Sequence, residues 1–102
     1  MENNMFPSNY PIERIPKGHE QATISTTAAG LTIPTGATRA VIKVAAEAVR
    51  FRNDGVSPTA AVGYPLATDE VIELTSQGLE QAEFIRSGST DAVLEVIYYG
   101  SQ

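Results

Sequence analysis

The side chains that carry most enzymatic chemistry are scarce in this chain. It has 102 residues, with a single histidine, His19, and no cysteine. A serine–histidine–aspartate arrangement would have to use His19 as its base, and His19 lies in a proline-containing segment that is a poor place to hold a catalytic group. Zinc sites draw on clusters of cysteine and histidine, which this composition excludes. We therefore expect no catalytic residue, no bound metal and no cofactor, and we predict that the protein is not an enzyme.

Carboxylates are more numerous, but their spacing does not indicate a site. Two carboxylates across a cleft can hydrolyse a glycosidic bond, yet the glutamates here fall at positions typical of a solvated surface. The short acidic turns Asn53-Asp54-Gly55 and Thr68-Asp69-Glu70 lack the ligand spacing of a calcium-binding loop. No glycine-rich phosphate-binding motif occurs in the chain.

The remaining candidates for chemistry are Arg50 and Arg52. Residues two apart on a strand project from the same face, about 6.5–7 Å from each other along the chain. Arginine forms bidentate contacts with carboxylates and stacks on aromatic rings. The pair either meets an acidic residue on a neighbouring strand or makes a charged contact with another protein, and the sequence leaves both interpretations open.

The segment that positions these arginines reads as a strand and a tight turn. Val49 and Phe51 share one face of residues 49–52, and Asn53-Asp54-Gly55 follows directly. Alternation that ends in Asp-Gly is a strong signal for a turn between β-strands. From residue 21 onwards the chain repeats such alternation with turn residues between the pieces. This pattern predicts an all-β fold, an antiparallel sandwich or barrel, with strands at 22–29, 39–46, 48–52, 70–75, 79–86 and 92–99.

Residues 41–49 allow a second interpretation and contain an irregularity. The alanines of residues 41–49 are compatible with a helix, but the β-branched residues among them and the turn beyond favour a strand. The alternation slips by one position near Ala46-Glu47, which predicts a β-bulge or a bend there.

The final strand, 92–99, is apolar on both faces apart from Glu95. It is either a central strand covered on both sides or one whose outer residues, Ile97 and Tyr99, meet another subunit.

Residues 1–20 differ from the rest because Pro7, Pro11 and Pro16 recur. Proline removes a backbone donor and favours extended geometry in its neighbours. We expect an extended arm at 1–20 and one β-sandwich domain at 21–102. The arm is either a frayed terminus or a segment that packs along a neighbouring subunit through its apolar residues Met5, Phe6, Tyr10, Ile12 and Ile15.

Charge and hydropathy exclude two classes of partner. The formal net charge is −5 and lysine plus arginine total 7, too few for the clustered cations that neutralise phosphates. No apolar run approaches the length of a membrane span, and the first residues lack the basic and apolar regions of a secretory signal. We expect no nucleic-acid partner and no membrane partner.

An ordered set of short motifs resembles a known group of proteins. The set is similar to small tailed-bacteriophage virion proteins of the capsid decoration, or cement, type, which are encoded among head genes. It spans most of residues 31–99 and comprises Ile33-Pro34-Thr35-Gly36-Ala37-Thr38-Arg39-Ala40, Val49-Arg50-Phe51-Arg52-Asn53-Asp54-Gly55, Pro58-Thr59-Ala60, Gly63, Pro65-Leu66, Phe84-Ile85-Arg86 and Val96-Ile97-Tyr98-Tyr99.

The resemblance implies a structural virion protein with an all-β fold, a single antiparallel β-sandwich that is jelly-roll-like. Such a protein, made in the host cytoplasm, would bind the outside of the capsid, reinforce contacts between major capsid subunits, and act as a homo-oligomer, a dimer or a trimer. The group has no catalytic pattern to transfer. Alternatives are a head–tail completion or tail-fibre-associated module, or a carbohydrate-binding β-sandwich that uses Tyr64, Tyr98 or Tyr99 as a platform. The residues expected to contact a partner are Met5, Phe6, Tyr10, Ile12, Ile15, Arg50, Arg52, Ile97 and Tyr99.

Overall fold

A computed structural model describes residues 15–101 of the chain as seven strands and one short helix. Segments in which β-branched and polar residues alternate form strands, because a strand can bury every second side chain on one face of a sheet. In chain order the elements are β1 (Ile15–Ile24), β2 (Ala37–Ala46), β3 (Val49–Arg52), β4 (Tyr64–Leu66), β5 (Val71–Thr75), α1 (Ser76–Gln81), β6 (Glu83–Arg86) and β7 (Ala92–Gly100).

The larger sheet has four antiparallel strands in the order β1-β7-β2-β5. Ala40 lies opposite Tyr98, and Ile42 lies opposite Val96, across the β2–β7 pair. These four side chains are buried, whereas the alternate positions of both strands point to the other face of the sheet. One face of this sheet therefore forms the core, and the other is the outer face.

The smaller sheet has three antiparallel strands in the order β4-β3-β6. Phe51 of β3 pairs with Tyr64 on one side and with Phe84 on the other. Its ring stacks on Phe84 at a centroid distance of 5.5 Å and meets the edge of Tyr64 at 5.6 Å. Aromatic pairs of this geometry stabilise a sheet beyond the area that they bury.

A single cluster of buried side chains joins the two sheets. It contains Val44 and Leu94 from the larger sheet and Val49 and Phe84 from the smaller one, all at 0% exposure, together with Leu79 of α1. Among the described residues no charged or polar side chain is buried in it. Hydrophobic burial therefore supplies the contact between the sheets.

The all-β prediction is confirmed at this level, since the described chain is built mainly of two antiparallel sheets. Residues 41–46 are strand and not helix. The predicted irregularity near Ala46-Glu47 is also confirmed, because the β2–β7 register shifts between Val44 and Ala46 and Glu47 has a φ of 62°.

The first strand departs from the prediction. β1 begins at Ile15 and ends at Ile24, so the boundary drawn after residue 20 falls inside a strand that pairs with β7. The prolines and Gly18 indicated an arm, but β1 is an edge strand, where Pro16 leaves no interior ladder bond unmade and a register shift between Pro16 and Gly18 absorbs the irregularity. The expected arm residues 1–14 lie outside the described part of the chain.

The strand predicted at 79–86 is also wrong in its first half. Ser76–Gln81 forms a helix of six residues, and β6 starts only at Glu83. The helix turns Leu79 into the core at 1% exposure, and Ala82 follows at 2%. A spacing of three residues between buried positions suits a helix, but so short a segment shows too little of that period to predict one.

We predict that Tyr98 makes the stability of the fold fall in alkaline solution. Its ring is 1% exposed and its hydroxyl donates a hydrogen bond to Glu20 Oε1 at 2.6 Å. Burial raises the pKa of the Tyr98 hydroxyl well above its ordinary value, and the Glu20 carboxylate raises it further. The unfolded chain therefore loses this proton first, above about pH 10, and folding becomes less favourable as the pH rises further.

Urea unfolding of the wild type and Tyr98→Phe across pH 7–12 checks this prediction. Below about pH 9 the variant should be less stable by about 1–2 kcal/mol, because it lacks one hydrogen bond to a carboxylate. Above about pH 10 the difference should shrink, since phenylalanine has no proton to lose. Parallel stability curves for the two proteins over the whole range would contradict the assigned role of the hydroxyl.

Candidate functional site

Arg50 is placed by the alternation of β3. Val49 enters the core at 0% exposure, so the next side chain leaves the sheet on the opposite side. There the guanidinium Nε donates to the carbonyl oxygen of Ala60 at 3.0 Å, and Nη1 donates to that of Gly63 at 2.9 Å. Two backbone carbonyls of the loop between β3 and β4 are thus held by one side chain.

The tip of this loop is closed by Thr59 and Val62. The amide of Thr59 donates to the Val62 carbonyl at 2.8 Å, and the Val62 amide donates back at 3.2 Å. Thr59 Oγ1 also accepts from the Val62 amide at 2.9 Å. These contacts and the bonds from Arg50 satisfy the backbone from inside the loop, which fixes its shape.

Close packing behind the loop requires a glycine at position 63. A Cβ at Gly63 would lie 3.1 Å from Arg50 Cβ, 3.2 Å from Pro58 Cβ and 3.3 Å from the Phe51 carbonyl oxygen. Its φ of 153° is also a conformation that residues with side chains rarely adopt. The loop therefore packs closely against β3 at this position.

Arg52 and Asp54 form a bidentate pair at the start of the loop. Arg52 Nε donates to Asp54 Oδ1 at 3.1 Å, and Nη2 donates to Oδ2 at 2.6 Å. The guanidinium holds the pKa of the Asp54 carboxyl below its usual range, and the carboxylate raises the pKa of Arg52. Gly55 follows with a φ of 85° and completes the turn. The pair braces the turn at the protein surface, where the Asp54 side chain is 55% exposed.

The loop and the start of β4 expose several apolar side chains. Val56, Val62 and Tyr64 are 51%, 54% and 64% exposed, and Ala60 and Ala61 are exposed beside them. We call these five residues the loop surface. Next to it lies a pocket of about 300 Å³ lined by Phe51, Arg52, Asn53, Asp54, Val62, Gly63 and Tyr64.

The outer face of the larger sheet is a second exposed surface, with mixed chemistry. Glu95 accepts hydrogen bonds from Gln21 Nε2 at 2.6 Å and contacts His19 Nε2 at 2.8 Å, and these neighbours lower the pKa of its carboxyl. Arg39 lies over the Tyr99 ring at 4.8 Å and pairs with Glu73.

The apolar part of this outer face includes half-buried Val41, which lies opposite Ile97, and half-buried Val93. Ile97 and Val71 are 43% and 56% exposed there. Among the described residues β7 is therefore central in its hydrogen bonding, but its outer side chains are only partly buried. The part of the chain that the structure describes thus does not bury this strand on both faces.

The two predicted arginines lie together, but their partners differ from those expected. Neither pairs with a carboxylate on a neighbouring strand: Arg50 binds carbonyl oxygens and Arg52 binds Asp54 in its own turn. Contact with another protein stays a prediction for both. Ile97 and Tyr99 lie on the other sheet and Ile15 is exposed at the start of β1, whereas Met5, Phe6, Tyr10 and Ile12 lie outside the described residues.

The sequence reasoning missed Val56 and Val62. Both stand among glycine, proline and serine in a stretch that reads as a plain loop, and the signal that could have found them is the presence of valine where loops usually carry polar residues. As platforms for a sugar, Tyr98 is excluded by its burial and Tyr99 has a guanidinium on its ring. Tyr64 remains open to solvent.

Within residues 15–101 no group of three or more histidine, aspartate or glutamate side chains could hold a metal ion. The same part of the chain contains no helix of the length and apolarity that crossing a membrane requires. Comparison of the chain with models of known families, with curated proteins and with solved structures finds no match.

We predict that Gly63→Ala lowers stability by about 1–3 kcal/mol, the usual cost of inserting atoms into a packed site. Gly88→Ala is the control, since a Cβ there meets nothing closer than 3.8 Å, from Glu47 Oε1. Its effect should stay within about 0.5 kcal/mol. Equal midpoints for the two variants in urea unfolding would show that the loop does not press on β3.

Proposed function

We propose that this chain is a structural virion protein that binds the outside of a phage capsid and reinforces contacts between major capsid subunits. One observation carries the proposal: motifs that carry the resemblance and lie far apart in sequence are neighbours in the fold. The motif at 49–55 forms β3 and its turn, flanked by β4 with Pro65-Leu66 and by β6 with Phe84-Ile85-Arg86. Pro58-Thr59-Ala60 and Gly63 form the loop that Arg50 holds.

The remaining two motifs are neighbours as well. The segment 33–40 leads into β2, where Ala40 lies opposite Tyr98 of the motif at 96–99. The resemblance thus rests on residues that form the two sheets and the loop that they present. Because these motifs meet in one fold, they can act together in assembly, which supports the proposal more than the fold class alone would.

The proposal includes the finer architecture. We infer that the two antiparallel sheets are the layers of a small β-sandwich with jelly-roll-like connections. The mixed core supports this, because buried residues from both sheets contact one another in one cluster.

The chemistry of the described surfaces suits binding better than turnover. Arg50, Arg52 and Glu95 are engaged by their own chain, while apolar side chains stand exposed beside them. Exposed apolar groups with charged groups at their rim are typical of protein contacts. A homo-oligomer, dimer or trimer, would use the outer face at Ile97 and Tyr99.

A carbohydrate-binding domain is the second candidate. The pocket beside Tyr64 favours it, because an exposed aromatic ring with Asn53 and the Arg52–Asp54 pair nearby is a common setting for a sugar. Another virion component, at the head–tail junction or on a tail fibre, is the third candidate and shares the exposed surfaces.

Quantitative mass spectrometry of purified virions of the phage that encodes the chain tests the proposal. We expect a copy number comparable to that of the major capsid protein, since a reinforcing protein must occupy repeated subunit junctions. Only a few copies per particle would favour the head–tail or fibre alternative. Absence from washed virions would contradict all virion roles.

A further inference from the structure

The loop surface concentrates apolar side chains that the fold does not need to expose. Of the six large apolar residues that are exposed in the described part of the chain, three lie here: Val56, Val62 and Tyr64. The other three are spread over β1, β5 and β7. Val62 and Tyr64 line the same pocket. Exposed apolar groups that adjoin one another mark interaction sites, whereas scattered ones are ordinary.

This surface is also held in place without a partner. Arg50 fixes the carbonyls of Ala60 and Gly63, and Thr59 closes the tip through both its amide and its hydroxyl. Binding by a loop that is already ordered loses little conformational entropy. The loop is ordered by bonds within its own chain, and its apolar side chains stay exposed. This is what a contact surface that forms before binding requires.

The contact must be made by side chains and not by strand addition. β4 is an edge strand of the smaller sheet, but it has three residues and Pro65 is the middle one. Proline has no N–H to offer an added strand. The accessible feature is therefore the pocket described above, which Val62 and Tyr64 line together with the Arg52–Asp54 pair. We call it the Val62–Tyr64 pocket.

Charge decides what kind of partner this surface fits. The loop surface itself contains no charged residue. The charges of its neighbours Arg50, Arg52, Asp54 and Glu83 sum to zero, in a chain whose formal net charge is −5. Arg52 is neutralised by Asp54, but among the described residues no carboxylate pairs with Arg50, whose recorded partners are neutral carbonyl oxygens. A guanidinium with only neutral partners complements a carboxylate on the bound protein.

We propose that the loop surface is the part of this chain that docks on the capsid, by receiving into the Val62–Tyr64 pocket an apolar side chain that lies beside a carboxylate on a capsid subunit. This inference rests on the function proposed above and assigns the contact to the smaller sheet. The outer face of the larger sheet is left for contacts between copies of the chain.

Binding to capsids of the phage that encodes the chain, prepared from a mutant that lacks its gene, tests the inference. Val62→Asp and Val71→Asp form a matched pair, because both valines are exposed to nearly the same extent, 54% and 56%, on different surfaces. Val62→Asp should weaken binding about tenfold or more, as loss of an interface anchor does. Tyr64→Ser should act similarly, and Val71→Asp should bind like the wild type.

The outcomes separate the two proposals. If the wild type binds capsids, and Val62→Asp and Tyr64→Ser bind equally well, the docking surface is wrong and the proposed function stands. Loss of binding by Val71→Asp or Ile97→Asp alone would move the contact to the outer face. Failure of the wild type to bind would overturn both proposals.

A sugar ligand is tested on the same proteins. Glycan-array binding by the wild type that Tyr64→Ser abolishes would assign the pocket to carbohydrate and contradict the docking inference. Circular dichroism and urea unfolding of every variant show whether a binding loss comes from misfolding.

Discussion

The two hydrogen bonds from the Arg50 guanidinium to the carbonyls of Ala60 and Gly63 are the constraint on which the exposed surface of this protein depends. They connect a strand fixed by the core to a loop in which only Pro58 is buried. Backbone carbonyls in a loop need partners, and a charged donor gives stronger bonds than a neutral one. Arg50 thus holds the loop segment that carries Val62 against β3, whereas Tyr64 is placed by its pairing with Phe51.

The core in turn decides where Arg50 can reach. Val49 is enclosed between the two sheets, and Phe51 packs between Phe84 and Tyr64. Because successive side chains of a strand point to opposite faces, these two residues aim Arg50 at the loop. A shift of one residue in β3 would exchange arginine and core side chains, so the aromatic contacts specify the register and the loop surface together.

Much of the fold follows from local pattern, and the exceptions have physical causes. Strict alternation predicts β2, β3 and β7 within two residues of their ends. The pattern does not predict the early start of β1, because an edge strand tolerates Pro16. It does not predict α1, because Ser76–Gln81 is too short to show a helical period. At the site, Arg50 was identified from its type, but its partners are carbonyl oxygens, which every residue carries and no sequence pattern marks. The exposed valines depend on that same loop geometry and were missed with it.

The central claim is that the loop surface is ordered before any partner binds, and backbone ¹⁵N relaxation of the free protein measures this directly. For residues 56–64 we expect order parameters near about 0.85, the value of rigid backbone, with a clear fall in Arg50→Lys. Values below about 0.6 in the wild type would describe a flexible loop. Such a result would contradict both the ordering of the loop by Arg50 and the preformed docking surface.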